Sequence, residues 1–277
     1  MARPDPHNRT DYRRTPRAPG LTLMRADFTT HEFAPHSHDA LVVAVTEAGG
    51  SEVRSRGQVQ QATQDTLFVF NPVEPHAGRM GWSHRWRYRS FYLTQSALDA
   101  VAAGLGIERV PYFTSNLFTD TDLVAAFLRL HRALARDADA LLEEELLAGS
   151  FGRLFERHGS RPPRMAAAPG DRLLLQRAIE RMRDGFADNL QLDDLAATVG
   201  LSKFQLIGLF NRGVGLSPHA YLTQIRLRAA CRALKRGRKL AEAANEAGFY
   251  DQSAMTRHFK RAYGITPLQY GRAARAS

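Results

Sequence analysis

The last third of the chain contains a duplicated segment, and this duplication restricts the possible folds more than any other feature of the sequence. GLSPHAY at residues 215–221 returns as GITPLQY at residues 264–270, an offset of 49. Upstream, an Ala-x-x-x-Gly pair that begins at Ala196 returns at Ala244, so the second copy has one extra residue near Tyr250. Two copies are too few for a solenoid, which needs at least three. The sequence therefore predicts a duplicated small helical module.

Each copy has the pattern of two helices joined at a glycine. In the first copy a short helix with one apolar face ends at Gly200, and in the second copy a similar helix ends at Gly248. A glycine in a short turn between two helices is typical of a helix-turn-helix unit. Ser217-Pro218 provides an N-cap followed by proline at the first helical position, a strong signal for a helix start. The predicted helices are 171–189, 191–199, 203–212, 218–236, 239–247, 252–263 and one that begins at residue 267.

The net charge of +10 is concentrated in the segment that contains the duplication. Residues 1–170 carry 20 Arg and 19 acidic residues, whereas residues 171–277 carry 18 Lys and Arg and nine acidic residues. A basic domain beside a neutral one is typical of nucleic-acid binding. An acidic membrane or protein partner would be attracted as well, so charge alone leaves these alternatives open.

The N-terminal half has a different periodicity. Residues 21–93 contain short apolar segments separated by turns, without helices between them, which predicts an antiparallel β-barrel or sandwich. Helices are predicted over 95–105, 120–135 and 138–158. The predicted fold class is α+β, with an N-terminal antiparallel β-barrel and flanking helices, and a C-terminal all-α domain of two helix-turn-helix units. The predicted domains are a flexible tail (1–20), a strand-rich domain with flanking helices (21–158), a proline-rich linker (159–170) and a basic helical domain that we expect to bind DNA (171–277).

The second helix of each unit is the expected DNA recognition helix, because this element enters the major groove in helix-turn-helix proteins. In 252–263 we expect Met255, Phe259 and Ala262 to face the core. In 203–212 the outward face is unusually apolar, and it either contacts thymine methyl groups or packs on a neighbouring helix. The predicted DNA-contacting residues are Lys203, Phe204, Ile207, Gly208, Asn211, Gln252, Ser253, Thr256, Arg257 and Lys260. Basic residues on or after the long connecting helix either contact the DNA backbone or are simply solvated: Arg226, Arg228, Arg232, Lys235, Arg236, Arg238 and Lys239.

The stretch from Ala241 to Tyr270 resembles the AraC/XylS family of bacterial transcription regulators. Its matching motifs are AxxxGFxDQS at 244–253, RxFKR at 257–261 and GITPxxY at 264–270. The resemblance covers about residues 171–275. It implies two helix-turn-helix units in successive major grooves, with base contacts from Gln252, Ser253, Thr256 and Arg257, and from Phe204, Ile207 and Gly208 in the first unit. An arginine is frequent in the family where this chain has Gly208, so we expect unequal readout by the two units.

The N-terminal half is similar to the cupin-type sensor barrels of such regulators, through His36-Ser37-His38 and Asn71-Pro72-x-x-x-His76. This resemblance implies that residues 21–158 form a cupin-like effector-sensing and dimerisation domain. Three imidazoles could bind a metal, because His-x-His on a strand places both rings on one face. Metal-binding cupins usually add a glutamate where this chain has Val42 and Val43, so we predict no metal and no cofactor. The predicted effector-binding residues are His36, His38, His76, Trp86 and Tyr88, with Trp82 and Arg89 as further candidates for the pocket wall.

These observations predict a sequence-specific, double-stranded-DNA-binding transcription regulator controlled by a small-molecule effector, and not an enzyme. The alternatives are a metal-dependent cupin enzyme with an accessory helical domain, and a nonspecific architectural protein. An apolar stripe in 120–135 (Leu123, Phe127, Leu130 and Leu134) either dimerises the chain or packs on its own barrel. We expect a homodimer. The single Cys231 fits the reducing cytoplasm, and no apolar run is long enough to span a membrane.

Overall fold

The computed structural model describes residues 8–30, 32–136, 139–160, 172–263 and 265–276. It divides into two compact units, Met1–Ala138 with Leu146–Ala166, and Asp139–Glu145 with Ala167–Ser277. The sequence assigns residues 139–145 to the first domain, whereas the structure groups them with the second. The physical reason is that Leu141 is buried in the same apolar core as Leu192 and Leu206. Of the predicted linker, residues 161–170 lie outside the described residues.

The first unit is built on two antiparallel sheets. Its strands are β1 (Arg9–Arg14), β2 (Leu21–Phe28), β3 (Glu32–His36), β4 (Leu41–Gly49), β5 (Ser51–Ser55), β6 (Gln58–Ala62), β7 (Thr66–Phe70), β8 (His76–Met80), β9 (Trp86–Leu93) and β10 (Leu117–Thr119). In the described residues one sheet has the order β1-β2-β9-β4-β7-β10 and the other β3-β8-β5-β6. Buried side chains of both sheets, among them Phe28, Val53 and Phe68, form one core. The predicted antiparallel β domain is confirmed.

The predicted flexible tail over residues 1–20 is wrong for its described middle part. Arg9–Arg14 form β1 and pair with β2 in an antiparallel ladder that joins Arg9 to Asp27 and Arg14 to Thr22. The sequence of β1, RTDYRR, has no apolar alternation that would predict a strand. In the structure all of its side chains are exposed. Backbone pairing with β2 holds it in place, and a sequence pattern does not reveal such pairing.

Three helices accompany the strands: α1 (Gln95–Leu105), which precedes β10, and α2 (Thr121–Leu134) and α3 (Ala140–His158), which follow it. The apolar stripe of α2, offered by the sequence as a dimer interface, is buried within the unit instead, since Leu123, Phe127 and Leu130 are 0% exposed. The Phe127 ring packs edge-on against Phe91 of β9, with 5.4 Å between the ring centroids. A homodimer therefore stays a prediction, and this stripe is unavailable for it.

The second unit is helical. Its helices are α4 (Arg172–Asp184), α5 (Leu192–Val199), α6 (Lys203–Val214), α7 (Pro218–Lys235), α8 (Leu240–Glu246), α9 (Gln252–Tyr263) and α10 (Pro267–Ala276). Ser217 caps α7 by accepting the Ala220 N–H, with Pro218 at the first helical position, as the sequence predicts. No helix among the described residues is long and apolar enough to cross a membrane.

Two separate apolar cores hold the second unit together. Side chains of α4, α5 and α6 form one core, and side chains of α8 and α9 form the other. Helix α7 contributes to both, with Leu222 in the first core and Leu227 and Leu234 in the second. The duplicated segment thus forms two modules on opposite ends of one connecting helix.

Candidate functional site

The turn of the second helix-turn-helix unit is fixed by backbone hydrogen bonds at the end of α8. The Phe249 N–H donates to the Ala244 carbonyl at 3.0 Å, and the Gly248 N–H donates to the Asn245 carbonyl at 3.0 Å. These two bonds form a Schellman motif, which needs a left-handed residue, and Gly248 has a φ of 74°. A side chain is excluded there for a second reason, since a Cβ on Gly248 would lie 2.6 Å from the Ala187 Cα.

Helix α9 has a polar outer face opposite a narrow apolar one. Met255 and Phe259 are 0% exposed, as predicted. Ala262 is exposed, contrary to the prediction, because the stripe continues one turn after Phe259 at Tyr263, whose ring packs on Phe259 at 4.6 Å. Gln252, Ser253, Arg257 and Lys260 are all exposed.

Hydrogen bonds and charges determine what this outer face can bind. The Thr256 hydroxyl donates to the Gln252 carbonyl at 2.8 Å, which leaves its oxygen lone pairs and methyl group for a partner. Neither Arg257 nor Lys260 makes an ion pair with another described residue. Asp251 caps the helix by accepting the Ala254 N–H at 2.6 Å. The face therefore presents two cations and an amide to solvent.

The first helix-turn-helix unit has the same turn. The Leu201 N–H donates to the Ala196 carbonyl at 3.0 Å, and Gly200 has a φ of 67°. Ser202 and Gln205 form a reciprocal capping box at the start of α6. Ser202 and Asp251 occupy matching cap positions 49 residues apart. The extra residue of the second copy therefore lies in the turn, where Tyr250 is 84% exposed.

The outer face of α6 differs from that of α9. Lys203 is only 15% exposed, and its Nζ lies 2.8 Å from the Asp193 carboxylate and 3.6 Å from the Glu144 carboxylate. Ile207 packs against the apolar core of its module, and Phe204 and Gly208 are half-buried. Of the five residues predicted on this face, only Asn211 is exposed.

The basic residues of the connecting helix are not equivalent. Arg226 is 5% exposed. It donates to the carbonyls of Phe186 and Asp188 and to the Asp139 carboxylate, so it has a structural role that the sequence did not reveal. Arg236 and Arg238 pair with Glu246. Exposed cations without an ion pair among the described residues are Arg228, Arg232, Lys235 and Lys239.

A cavity of about 150 Å³ lies between the two sheets of the first unit. All five predicted effector-binding residues line it: His36, His38, His76, Trp86 and Tyr88. Tyr92 and Phe70 also line it, although no sequence motif singled them out. Tyr92 could have been found, because side chains alternate along a strand and Tyr92 shares the inner face of β9 with Trp86 and Tyr88.

Two of the candidates named for the pocket wall lie elsewhere. Trp82 is 65% exposed and outside this cavity. Arg89 points to the opposite face of β9, where it donates to Glu47 at 3.1 Å and lies 3.1 Å from the Nδ1 of His131. Trp82 and Arg89 were predicted to line the pocket from their residue types alone. Side chains alternate along β9, so Arg89 points away from the cavity while its neighbours Tyr88 and Ser90 line it.

The three histidines of the cavity form one cluster. His36 and His76 are paired across β3 and β8, and their ring centroids are 4.5 Å apart. β3 ends at His36, so His38 lies in the following loop and not on the strand. Burial lowers the pKa of His76 to about 4, and burial with the nearby His36 lowers the pKa of His38. Near neutral pH, His76 is therefore uncharged.

Comparisons with known proteins agree with this geometry. The family description "AraC-like ligand binding domain" matches residues 18–150, and a helix-turn-helix domain family matches residues 195–273. These matches and the two helix-turn-helix units define a DNA-binding transcription regulator with an N-terminal ligand-binding domain, and not an enzyme. The uncharacterized HTH-type transcriptional regulator YbfI of Bacillus subtilis is 30% identical over 225 residues, 81% of this chain and 82% of the relative. The chain belongs to the AraC family of transcription regulators.

Two further similarities cover a smaller share of the chain. The HTH-type transcriptional regulator MtrA of Neisseria gonorrhoeae is 34% identical over 93 residues, 33% of this chain and 31% of that protein. The crystal structure of an AraC-type transcriptional regulator from Chromobacterium violaceum is 28% identical, with a TM-score of 0.36, and the match covers 39% of this chain and 96% of that one.

Proposed function

We propose that this regulator recognises its operator mainly through α9, with α6 as an anchoring helix. The observation behind this proposal is the outer face of α9, where Gln252, Ser253, Arg257 and Lys260 are exposed opposite the buried Met255 and Phe259. A helix with this arrangement can enter the major groove without exposing its core. The outer face of α6 offers mostly apolar or already paired side chains.

The side-chain chemistry favours a DNA-contacting role for five residues of α9. Arg257 suits the O6 and N7 atoms of guanine, and Gln252 suits the N6 and N7 atoms of adenine. Ser253 is an adaptable donor and acceptor, and Thr256 can accept a hydrogen bond or contact a thymine methyl group. Lys260, one turn further along, suits a phosphate.

In the first unit, apolar and backbone contacts replace most hydrogen-bonding readout. Phe204 and Ile207 suit thymine methyl groups, and Gly208 permits close approach of the helix backbone to DNA. Asn211 is the exposed amide of that face, and Lys203 suits a phosphate once it is freed from its carboxylates.

Selection from a random DNA pool by the purified full-length protein tests this proposal. We expect a site with two half-sites about one helical turn apart, and with more sequence information in one of them. Equal information in both half-sites would contradict the dominant role of α9. Binding to the selected site no tighter than to random DNA, at fixed salt, would favour a nonspecific architectural protein instead.

We further propose that the cavity of the first unit binds a small effector. A cavity of about 150 Å³ holds one benzene ring, so the class of ligand is a ring-sized, largely apolar molecule. Ala44 lines the cavity, whereas Ala48 on the same strand does not. Ala44→Leu should abolish the thermal shift and the change in DNA affinity produced by such a ligand, and Ala48→Leu should preserve both. Equal ligand response in the two variants would place the effector elsewhere.

We also infer that the regulator acts as a homodimer in the cytoplasm, where its DNA target lies. The α2 stripe is buried, so the dimer must use another surface. Light scattering at micromolar concentration tests the oligomeric state directly, and a monomer that still binds its selected site with full affinity would contradict the inference.

A further inference from the structure

Although the sequence predicts no metal here, the convergence of the three rings points the other way: we propose that His36, His38 and His76 bind one divalent first-row transition-metal ion, such as Zn²⁺, at the wall of the effector cavity. Each of the three side chains offers a nitrogen ligand, and these nitrogen atoms all lie within 4.8 Å of one another. The inference deepens the proposed function, because the ion would lie beside the proposed effector. Its test uses no DNA, so the two proposals can fail separately.

The observed spacing is close to that of a metal site. A tetrahedral ion with metal–nitrogen bonds of about 2.0–2.1 Å holds its ligand atoms roughly 3.4 Å apart. The histidine nitrogens are therefore at most about 1.4 Å further apart than a bound ion requires. Each of the three rings is a neighbour of the other two, with centroid separations of 4.5, 4.9 and 5.3 Å.

Hydrogen bonds orient two of the three rings for ligation. The Nδ1 of His36 lies 2.8 Å from the Ala34 carbonyl, and the Nδ1 of His76 lies 3.0 Å from the Glu74 carbonyl. A carbonyl only accepts, so each Nδ1 carries the proton and each Nε2 keeps a free lone pair. Bonds of this kind support the histidine ligands of known metal sites. The His76 ring is fixed further by stacking on Phe70, at 4.0 Å and an interplanar angle of 8°.

The loop that presents His38 is anchored as well. The carbonyl of His38 accepts the Val73 N–H at 2.7 Å, which ties this loop to the connection between β7 and β8. The His38 ring also packs edge-on against Tyr92, with 5.1 Å between centroids. The site therefore does not depend on a mobile third ligand.

The three histidine ligands determine which ions fit the site and how many coordination positions of the ion remain open. Among the described residues, the cluster consists of three imidazoles and no carboxylate. Neutral imidazoles suit Zn²⁺, Ni²⁺, Cu²⁺ or Fe²⁺ and disfavour Mg²⁺ and Ca²⁺. Three protein ligands leave at least one coordination position open, as in zinc sites that bind a water or a small molecule. An effector with a carboxylate or another donor group could occupy that position while its apolar part fills the cavity.

The test uses the full-length protein, stripped with a chelator and dialysed. Calorimetric titration with Zn²⁺ should show one ion per chain, with none for Mg²⁺, and Co²⁺ should develop the visible d–d bands of a low-coordinate nitrogen site. The melting temperature should rise by roughly 5 °C or more with Zn²⁺ in large excess over Kd. Absence of saturable Zn²⁺ and Co²⁺ binding to the folded protein would overturn the proposal.

Paired variants locate the ion. His38→Ala and His76→Gln should each weaken Zn²⁺ affinity by more than about tenfold and remove the Co²⁺ bands. His84→Ala is the matched control, because His84 is exposed and outside the cluster. Circular dichroism identifies any variant that fails to fold. His38→Ala is the variant less prone to misfold, because His38 lies on a loop and not on a strand. Unchanged Zn²⁺ binding in folded His38→Ala and His76→Gln, or equal loss in His84→Ala, would assign the ion to another site.

Discussion

The two helix-turn-helix units share a scaffold but present different surfaces. Both end their first helix with the same backbone hydrogen bonds at a left-handed glycine, Gly200 or Gly248. Both begin their second helix at a side-chain cap, Ser202 or Asp251. The outer face of α9 is polar and exposed, whereas that of α6 is half-buried, with its lysine held between two carboxylates.

This difference shows which parts of a duplicated module are constrained. A change at a cap or at a buried apolar position costs stability, so the two copies keep the same kind of residue there: a capping oxygen at Ser202 and Asp251, and an apolar side chain at Phe210 and Phe259. The outward residues of α9, such as Arg257 and Lys260, contribute to neither the cap nor the core, so they can differ from those of α6 without loss of the scaffold. The following predictions test this comparison, beginning with the largest expected effect.

Gly248→Ala should destabilise the protein more than Gly200→Ala. Both changes place a side chain at positive φ, which costs roughly 1–2 kcal/mol. At Gly248 the new Cβ would also meet the backbone of residues 186 and 187, which raises the expected cost to about 2–4 kcal/mol. At Gly200 a new Cβ would meet no neighbouring heavy atom within 4 Å. Urea unfolding measures both, and equal losses would mean that the close backbone approach at Gly248 has no energetic consequence.

Arg257→Ala should weaken binding to the selected operator by roughly 1–3 kcal/mol and relax the preference at one base pair. The physical reason is the loss of a bidentate contact to guanine. Fluorescence anisotropy with operator variants measures both effects. The matched control is Arg272→Ala, which removes an exposed cation of α10. If both variants lose affinity equally and keep the same base preference, Arg257 contributes only charge.

Lys260→Ala should weaken binding to all sequences alike, because a phosphate contact carries no base information. The slope of log K against log salt should fall in magnitude by about one. Titrations at several salt concentrations, on operator and random DNA, provide the measurement. A loss restricted to the operator would instead indicate that Lys260 contacts a base.

Asp193→Asn should produce the smallest effect, a gain in DNA affinity of a few tenths of a kcal/mol. The change removes the 2.8 Å ion pair and leaves only the 3.6 Å pair with Glu144, so Lys203 turns to a phosphate more readily. Asp194→Asn removes the same charge from the neighbouring exposed position, which has no ion pair with Lys203. An equal gain in both variants would show that only net charge matters and that Lys203 stays unavailable.

Much of the fold could be predicted from local sequence signals. The bounds of α1 and α9 agree with the predicted helices, because caps and apolar periodicity act within a few residues. Met255 and Phe259 were predicted as core for the same reason. β1 was missed, because its pairing with β2 leaves every side chain exposed.

The candidate sites were predicted by residue type and only partly by position. The structure brings the three histidines together with Trp86 and Tyr88 around one cavity. It separates Arg89 from that cavity, and it holds Lys203 against two carboxylates. Partners such as Glu144 lie far from Lys203 in sequence, so no local pattern predicts them.

The sequence by itself determined the duplicated helical module, the basic charge of its domain and the residue types that face outward on α9. These features depend on helix periodicity, capping and composition, which are properties of neighbouring residues. Only the tertiary structure decided that the α2 stripe is buried, that Arg226 is structural and that three histidine nitrogens converge. Those outcomes depend on contacts between residues distant in the chain, where packing and burial decide whether a side chain stays available for a partner.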